Sequence, residues 1–276
     1  MIWSTNYNKL AASTMFTLFF GGATFAPSCT VPWDFQKADE ALLLRYFPGM
    51  VLHADVNLQY YFQAHYCLAI RHLAKAIHAA GLHGATVLGY EVMNEPSSGY
   101  IGLDQLCKVN DKTWELNLGP SPTPYEGMRL GSGLAQQVDT YAFTWKGPGK
   151  KGTTTIDPAG VRAWQKEREC IWASEGVWHP EKGLLKPAHF AQAPDTGKVY
   201  HFMSDFFRPF VTIYAGILQD IDASLMIFVC PPPGQKHAPL PGIRNLVDAA
   251  HWYDGLTLIR YSSEVTFLKK AQAHGR

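Results

Sequence analysis

The chain has 276 residues, enough for one large domain or two small ones and for a generous core. Hydrophobic residues make up 47%, aromatics 13% and charged residues only 17%, which is too apolar and too weakly charged for a disordered chain. Twenty-four Lys and Arg against 23 Asp and Glu leave a formal charge of +1. No global basic field exists to attract DNA or RNA, so nucleic acid is not an expected partner. Cys29, Cys67, Cys107, Cys170 and Cys230 are odd in number, widely spaced and free of any C-x-x-C pair. That argues against a disulfide framework or a cysteine-rich zinc site and points to a reducing, cytoplasmic setting. No apolar run approaches the roughly 20 residues that cross a bilayer, so no transmembrane segment is expected.

In chain order, Met15 to Phe20 reads as a buried strand ending at Gly21 and Gly22. Lys9 followed by Ala11 to Phe20 also has the outline of a signal peptide cut at Ala26. Pro27 directly after the cut and the long polar stretch from Ser4 to Lys9 weigh against that reading. Apolar residues then recur at three- and four-residue steps from Leu58 to Ala80, predicting a helix that Gly81 ends. Thr86 to Val92 is β-rich and reads as a second strand. From Ser97 to Thr155 the chain carries Pro120, Pro122, Pro124 and many glycines without clear periodicity. A stretch of this length is expected to be a functional loop or lid. Asp157-Pro158 reads as a helix start, with the helix running to about Ser174. Val199 to Gln219 is helical, with Pro209 either kinking or restarting it. Leu225 to Val229 is a third strand, stopped by Pro231, Pro232 and Pro233, and a fourth lies between Ala249 and Ile259. The first three strand readings are continuous apolar runs, as in a parallel sheet covered on both faces, and the order of elements indicates α/β.

The informative run is Gly89-Tyr90-Glu91-Val92-Met93-Asn94-Glu95-Pro96. In a parallel α/β protein, Asn-Glu-Pro after a strand puts an amide and a carboxyl at the carboxyl end of the sheet, where active sites form. A carboxyl group partly desolvated there can act as a general acid near neutrality, and the neighbouring amide can bind a substrate hydroxyl. Glu91 would point opposite to Val92, as a supporting partner or an interior residue. Asp254 has the choice of orienting the His251 strand end or making a turn. His53, His65, His72, His78 and His83 lack tight metal-ligand spacing and read as surface or core histidines, so no metal is expected. Gly147 to Thr153 (GPGKKGT) is no phosphate loop, because its lysines do not precede a hydroxyl residue at the required spacing. No G-x-S-x-G elbow occurs.

In five places the chain resembles a fungal branch of glycoside hydrolase family 5, the endoglycoceramidase-related and steryl β-glucosidase proteins. These are Asn6 to Ala12 with Met15 to Phe20, Met93 to Gly102, Thr123 to Gly131 (TPYEGMRLG), Ile156 to Val161, and His251 to Leu258 (HWYDGLTL). The resemblance implies a retaining β-glycosidase on a (β/α)8 barrel, acting on a glycolipid or other β-glucoside without a cofactor. It makes Glu95 the acid/base and places Asn94 on the hydroxyl beside the reacting carbon, with His251 and Tyr253 lining the glycosyl subsite. A glucolipid substrate also implies transient contact with a membrane surface.

Four strand readings stand where a barrel needs eight. Mapped onto the family, the chain covers barrel strands three to six. The expected architecture is a partial TIM (β/α)8 barrel, one incomplete catalytic domain over 1–276, with residues 97–155 as an active-site insertion after the fourth strand. The family's nucleophilic glutamate belongs to the seventh strand, and no matching segment exists here. Glu264 lies thirteen residues after His251 with no family motif around it, so no nucleophile is assigned in this chain. Two functions follow as expectations: hydrolysis of a steryl glucoside or glucosylceramide, or else a catalytically inactive fragment or glycolipid-binding remnant.

Overall fold

The structure, a computed structural model, describes residues 10–108, 117–144, 147–232 and 239–251. It is a mixed α/β arrangement that opens with helix α1 (Leu10–Phe25). The antiparallel pair β1 (Thr30–Val31) and β2 (Val56–Asn57) brackets helix α2 (Glu40–Tyr46). Helix α3 (Leu58–Ala79) leads to strand β3 (Gly89–Glu91). Next come β4 (Gly119–Pro120), α4 (Pro124–Gly131), β5 (Gln136–Thr144) and β6 (Gly147–Ile156). The short helix α5 (Ile171–Ser174) and the hairpin β7 (Trp178–His179) and β8 (Gly183–Leu184) follow. A π-helix (Phe202–Phe207) runs into α6 (Arg208–Gln219), and β9 (Met226–Val229) and β10 (Leu246–Asp248) complete the described elements. Strands β10, β9 and β3 form a parallel sheet in that order.

Met15 to Phe20 is not a strand but the centre of α1. A six-residue apolar run has no period of its own to separate helix from strand. Ala11 and Ala12 ahead of it favour the helix. The glycine pair that reads as a stop is a kink, with Gly21 at φ −131° and ψ 17°. Two glutamines one turn apart on α3 serve the backbone groups that face each other across this kink. Gln63 Nε2 donates to the Phe19 carbonyl at 2.7 Å, and Gln59 Oε1 accepts from the Ala23 N–H at 3.0 Å. The rings of Phe19, Phe202, Phe207 and Phe210 pack around Phe20 with centroids 4.9–5.9 Å away. This aromatic layer joins α1 to the π-helix and α6.

The predicted helix at Leu58 to Ala80 is α3. Asn57 caps it by accepting from Gln59 N–H at 3.0 Å, and Gly81 turns the chain away at φ +70°. Pro209 restarts a helix rather than kinking one, since it occupies the first turn of α6. Asp157-Pro158 starts no helix. The Asp157 carboxylate accepts from Ala159 N–H at 2.8 Å, Ala159 takes φ +51°, and α-helix appears only at Ile171–Ser174. An aspartate before a proline makes a turn as readily as a helix cap.

The 97–155 stretch is more structured than its prolines suggest. Thr123 and Glu126 form a reciprocal capping box at the start of α4, with Pro124 in its first turn. Strands β4, β5 and β6 make an antiparallel sheet in which Gly147 to Thr153 is extended strand, with a register shift at Thr140/Tyr141. Of the fourth predicted strand, Ala249 to His251 are non-strand and follow β10, which ends at Asp248, while Trp252 to Ile259 lie outside the described residues.

Gly99 sits at φ +58°, where a Cβ would lie 2.5 Å from both the Ser13 carbonyl and Thr17 Oγ1 on α1. The neighbouring Tyr100 N–H donates to that same Thr17 Oγ1 at 2.9 Å. Gly102 also has a positive φ, +90°, but its Cβ would meet nothing within 4 Å. Gly99→Ala is expected to lose at least about 2 kcal/mol in urea unfolding, and Gly102→Ala about 1. Equal losses would contradict the close seating of this segment on α1.

Candidate active site

The parallel register places the site. Glu91 pairs with Phe228 and Asp248 with Val229, so β3, β9 and β10 end side by side. Two tyrosines hold the end of β3. Tyr66 on α3 donates its hydroxyl to the Val92 carbonyl at 2.7 Å, and Tyr214 on α6 donates to the Glu91 carbonyl at 2.9 Å. Burial pushes both phenols upward, so they remain donors at neutral pH. The ladder continues past the strand, with Val92 N–H donating to the Phe228 carbonyl at 2.9 Å.

From this anchored end the chain turns outward through Asn94, which is exposed, to Glu95, which is half-buried, and to buried Pro96. Glu95 has φ +42°. A non-glycine residue in the left-handed region is uncommon, and one preceding proline ordinarily stays extended. Strain of this kind, on the order of 1–3 kcal/mol, persists where the surroundings fix it and clusters at functional sites.

On the other side, β10 leads into a turn closed by Asp248, whose carboxylate accepts from Ala250 N–H at 2.9 Å. His251 follows. Its Nδ1 lies 2.8 Å from Glu95 Oε1 and its Nε2 lies 4.0 Å from Glu91 Oε1. The side chains of His251 and Glu95 keep 31% and 26% of their surface exposed, so the pair is accessible without being fully solvated. With the proton on Nδ1, the imidazole donates to ionised Glu95; with the proton on Glu95, Nδ1 accepts it. Either way the ring fixes the carboxyl group's orientation.

The structure therefore brings Glu95 and His251 together, with Asn94 adjoining them in the chain. Tyr253, Asp254 and Glu264 lie outside the described residues. Glu91 resolves as a partner on the His251 side, while the alternate position Val92 is fully buried. Cys230, directly after β9, is the residue that sequence reasoning missed. Its thiol donates to the Pro231 carbonyl at 3.3 Å. Burial raises its pKa, backbone hydrogen bonds from Glu95 and His251 oppose that rise, and the charges of Glu91 and Glu95 add to it. Cys230 thus ties the two strand-end turns together. Its one sequence signal is its place between a strand and a proline run. Glu91, Cys230 and His251 offer three potential ligand atoms within 4.8 Å of one another. The 2.8 Å contact also couples a carboxyl group to an imidazole, a pairing that can move a proton. Beside it, Met93 lines an apolar cavity of about 360 Å³ with Met15, Phe16, Phe19, Phe62 and Tyr66.

No family model matches the chain. Its sequence is 35% identical to a glucosylceramidase from Aspergillus fumigatus, over 94% of this chain and 34% of that protein. It is 32% identical to ergosteryl-beta-glucosidase from Saccharomyces cerevisiae, again over 94% of this chain and 34% of that protein. Its fold matches the crystal structure of Cryptococcus neoformans sterylglucosidase 1 with tris, at a TM-score of 0.81 and 32% identity, covering 94% of this chain and 36% of that one. The chain spans about a third of the length of these relatives. Its mixed α/β fold is similar to the corresponding part of the sterylglucosidase structure.

The placement of Cys230 is open to direct measurement. Thiol labelling of the native chain at pH 8 should modify exposed Cys107 readily and leave buried Cys230 unmodified until the chain unfolds. Native labelling of Cys230 at a comparable rate would contradict its position between the two strand-end turns.

Proposed function

We propose that the chain carries the acid/base portion of a retaining β-glycosidase of glycoside hydrolase family 5. Its substrate on this reading is a glucolipid, either a steryl β-glucoside or glucosylceramide. The observation that carries the reading is the 2.8 Å contact between Glu95 and His251, made across 156 residues at the carboxyl rim of a parallel sheet. A rim of this kind is where active sites of (β/α)8 enzymes lie. Strands β3, β9 and β10 correspond on this reading to barrel strands four, five and six, with helix α1 in place of the expected third strand, within one catalytic domain that includes 1–276. Residues 97–155, with α4 and the β4-β5-β6 sheet, are its insertion beside the site.

The chemistry then follows from charge and geometry. Glu95 gives its proton to the glycosidic oxygen as the bond to the anomeric carbon breaks, and a second carboxylate forms the glycosyl ester. Glu95, now ionised, takes a proton from the water that displaces the ester, and the sugar leaves with retained configuration. Asn94 binds the hydroxyl next to the reacting carbon, and His251 and Tyr253 line the glycosyl subsite. The apolar cavity beside Met93 suits a bulky hydrocarbon aglycone. No described helix is long and apolar enough to cross a membrane; on this reading the protein reaches its lipid by transient surface contact. Five free cysteines accord with a cytoplasmic setting.

A second reading is a glycolipid-binding remnant without turnover, for which the apolar cavity beside Met93 would serve equally well. Two measurements separate the readings. Glu95→Gln in the longest polypeptide carrying this chain should lower turnover of steryl glucoside and glucosylceramide about 10²- to 10⁴-fold. An activated aryl glucoside, whose leaving group needs little protonation, should lose far less in its bond-breaking step. Undiminished turnover of both glucolipids in the variant would overturn the assignment, and binding of either lipid without any turnover by the parent would establish the remnant. The ratio of the two parent rates identifies the aglycone.

A further inference from the structure

At the opposite end of the same sheet, three side chains converge that the glycosidase reading does not use. His78 closes α3, His83 lies in the segment leading to β3, and Asp222 lies in the turn leading to β9. Their spacing looks unpromising in the sequence because the convergence depends on a reversal. Gly81 takes φ +70°, its N–H donates to the His78 carbonyl at 2.9 Å, and the chain folds back beneath the helix end. His78 Nδ1 and His83 Nδ1 are then 3.2 Å apart. Asp222 Oδ2 lies 3.8 Å from the first and 3.6 Å from the second.

We infer that His78, His83 and Asp222 form a binding site for Zn²⁺ or a similar borderline divalent cation. The nearest point equidistant from the three donor atoms lies about 2.1 Å from each, and a small step out of their plane toward a fourth ligand keeps the ion near the usual Zn–N and Zn–O range of about 2.0–2.2 Å. Two imidazoles and one carboxylate suit such a cation better than Mg²⁺ or Ca²⁺, which prefer all-oxygen shells. The outer partners are in place. His83 Nε2 meets the Tyr90 hydroxyl at 2.9 Å, so its proton can sit on Nε2 while Nδ1 faces the metal. Asp222 Oδ1 accepts from Ser224 N–H at 2.9 Å and Ser224 Oγ at 2.6 Å, which leaves Oδ2 for the metal. The site is closed behind and open in front: the side chain of His83 is 4% exposed, Asp222 22% and His78 52%. A fourth ligand, water, enters from the exposed side. The bound cation clips the end of α3 to the segments that enter β3 and β9. Its role is structural, and it is independent of the proposed hydrolase activity.

The test uses the purified chain, stripped with chelator and titrated with ZnCl₂ by calorimetry and thermal unfolding, with Co²⁺ as the spectroscopic probe. One tight equivalent of Zn²⁺, a raised unfolding temperature and the visible bands of tetrahedral Co²⁺ are expected. His78→Ala, at a largely exposed position, should fold and lose the tight equivalent. Tyr90→Phe should weaken it about 10- to 100-fold while leaving the stoichiometry unchanged. Absence of a tight equivalent, or one that His78→Ala leaves intact, would overturn the site.

Discussion

The arrangement rests on the parallel pairing of β3, β9 and β10. Parallel strands align their carboxyl ends, so residues distant in sequence arrive at one rim. Glu95 follows β3 by four positions and His251 follows β10 by three. A slip of one residue in either pairing would send alternate side chains to the wrong face and separate the pair. The register is held from outside the sheet as well as within it. Tyr66 and Tyr214 reach from two helices to the carbonyls of Val92 and Glu91, just past and at the end of β3, and both helices are seated against the aromatic layer around Phe20. The left-handed conformation of Glu95 is tolerable because its flanks are fixed: the strand end on one side, buried Pro96 and the Gly99–Tyr100 contact with α1 on the other.

How much of this was legible from the residues depends on whether the signal was local. The period of α3, the run of β9, a break in the helix at Pro209 and the rim position of Asn94-Glu95-Pro96 could all be read directly, because each is set by near neighbours. The partnership of Glu95 with His251 came from a family resemblance rather than from spacing, since nothing within the chain's own pattern measures a 156-residue contact. The helical state of Met15–Phe20 was hidden because buried helix and buried strand share the same apolar composition. Gln59 and Gln63, which satisfy the backbone at its kink, lie 36 and 44 residues beyond the groups they bind, outside any local pattern. Asp157-Pro158 failed for a related reason. Its capping carboxylate is used in a turn, and tertiary context chose between two locally acceptable structures.

The two ends of the sheet divide the work. The carboxyl end holds an acid coupled to an imidazole, accessible enough for a substrate and constrained enough for a defined geometry. The amino end gathers His78, His83 and Asp222 from elements that lead into β3 and β9. Fixing strand entry and strand exit are complementary demands, because a catalytic carboxyl must be held within a fraction of an ångström to act in proton transfer. Similarity to a fungal glucosylceramidase and a sterylglucosidase extends over 94% of the chain.

The central claim is that Glu95 is the proton-handling group of a double-displacement reaction. Azide tests it most directly, since an anionic nucleophile can discharge a glycosyl ester without a general base. In the longest polypeptide carrying this chain, Glu95→Ala supplied with an activated aryl glucoside should accumulate glycosyl-enzyme. Added azide should then restore turnover and yield the β-glucosyl azide. Hydrolysis at the parent rate with no azide product, or an azide product of α configuration, would contradict the account.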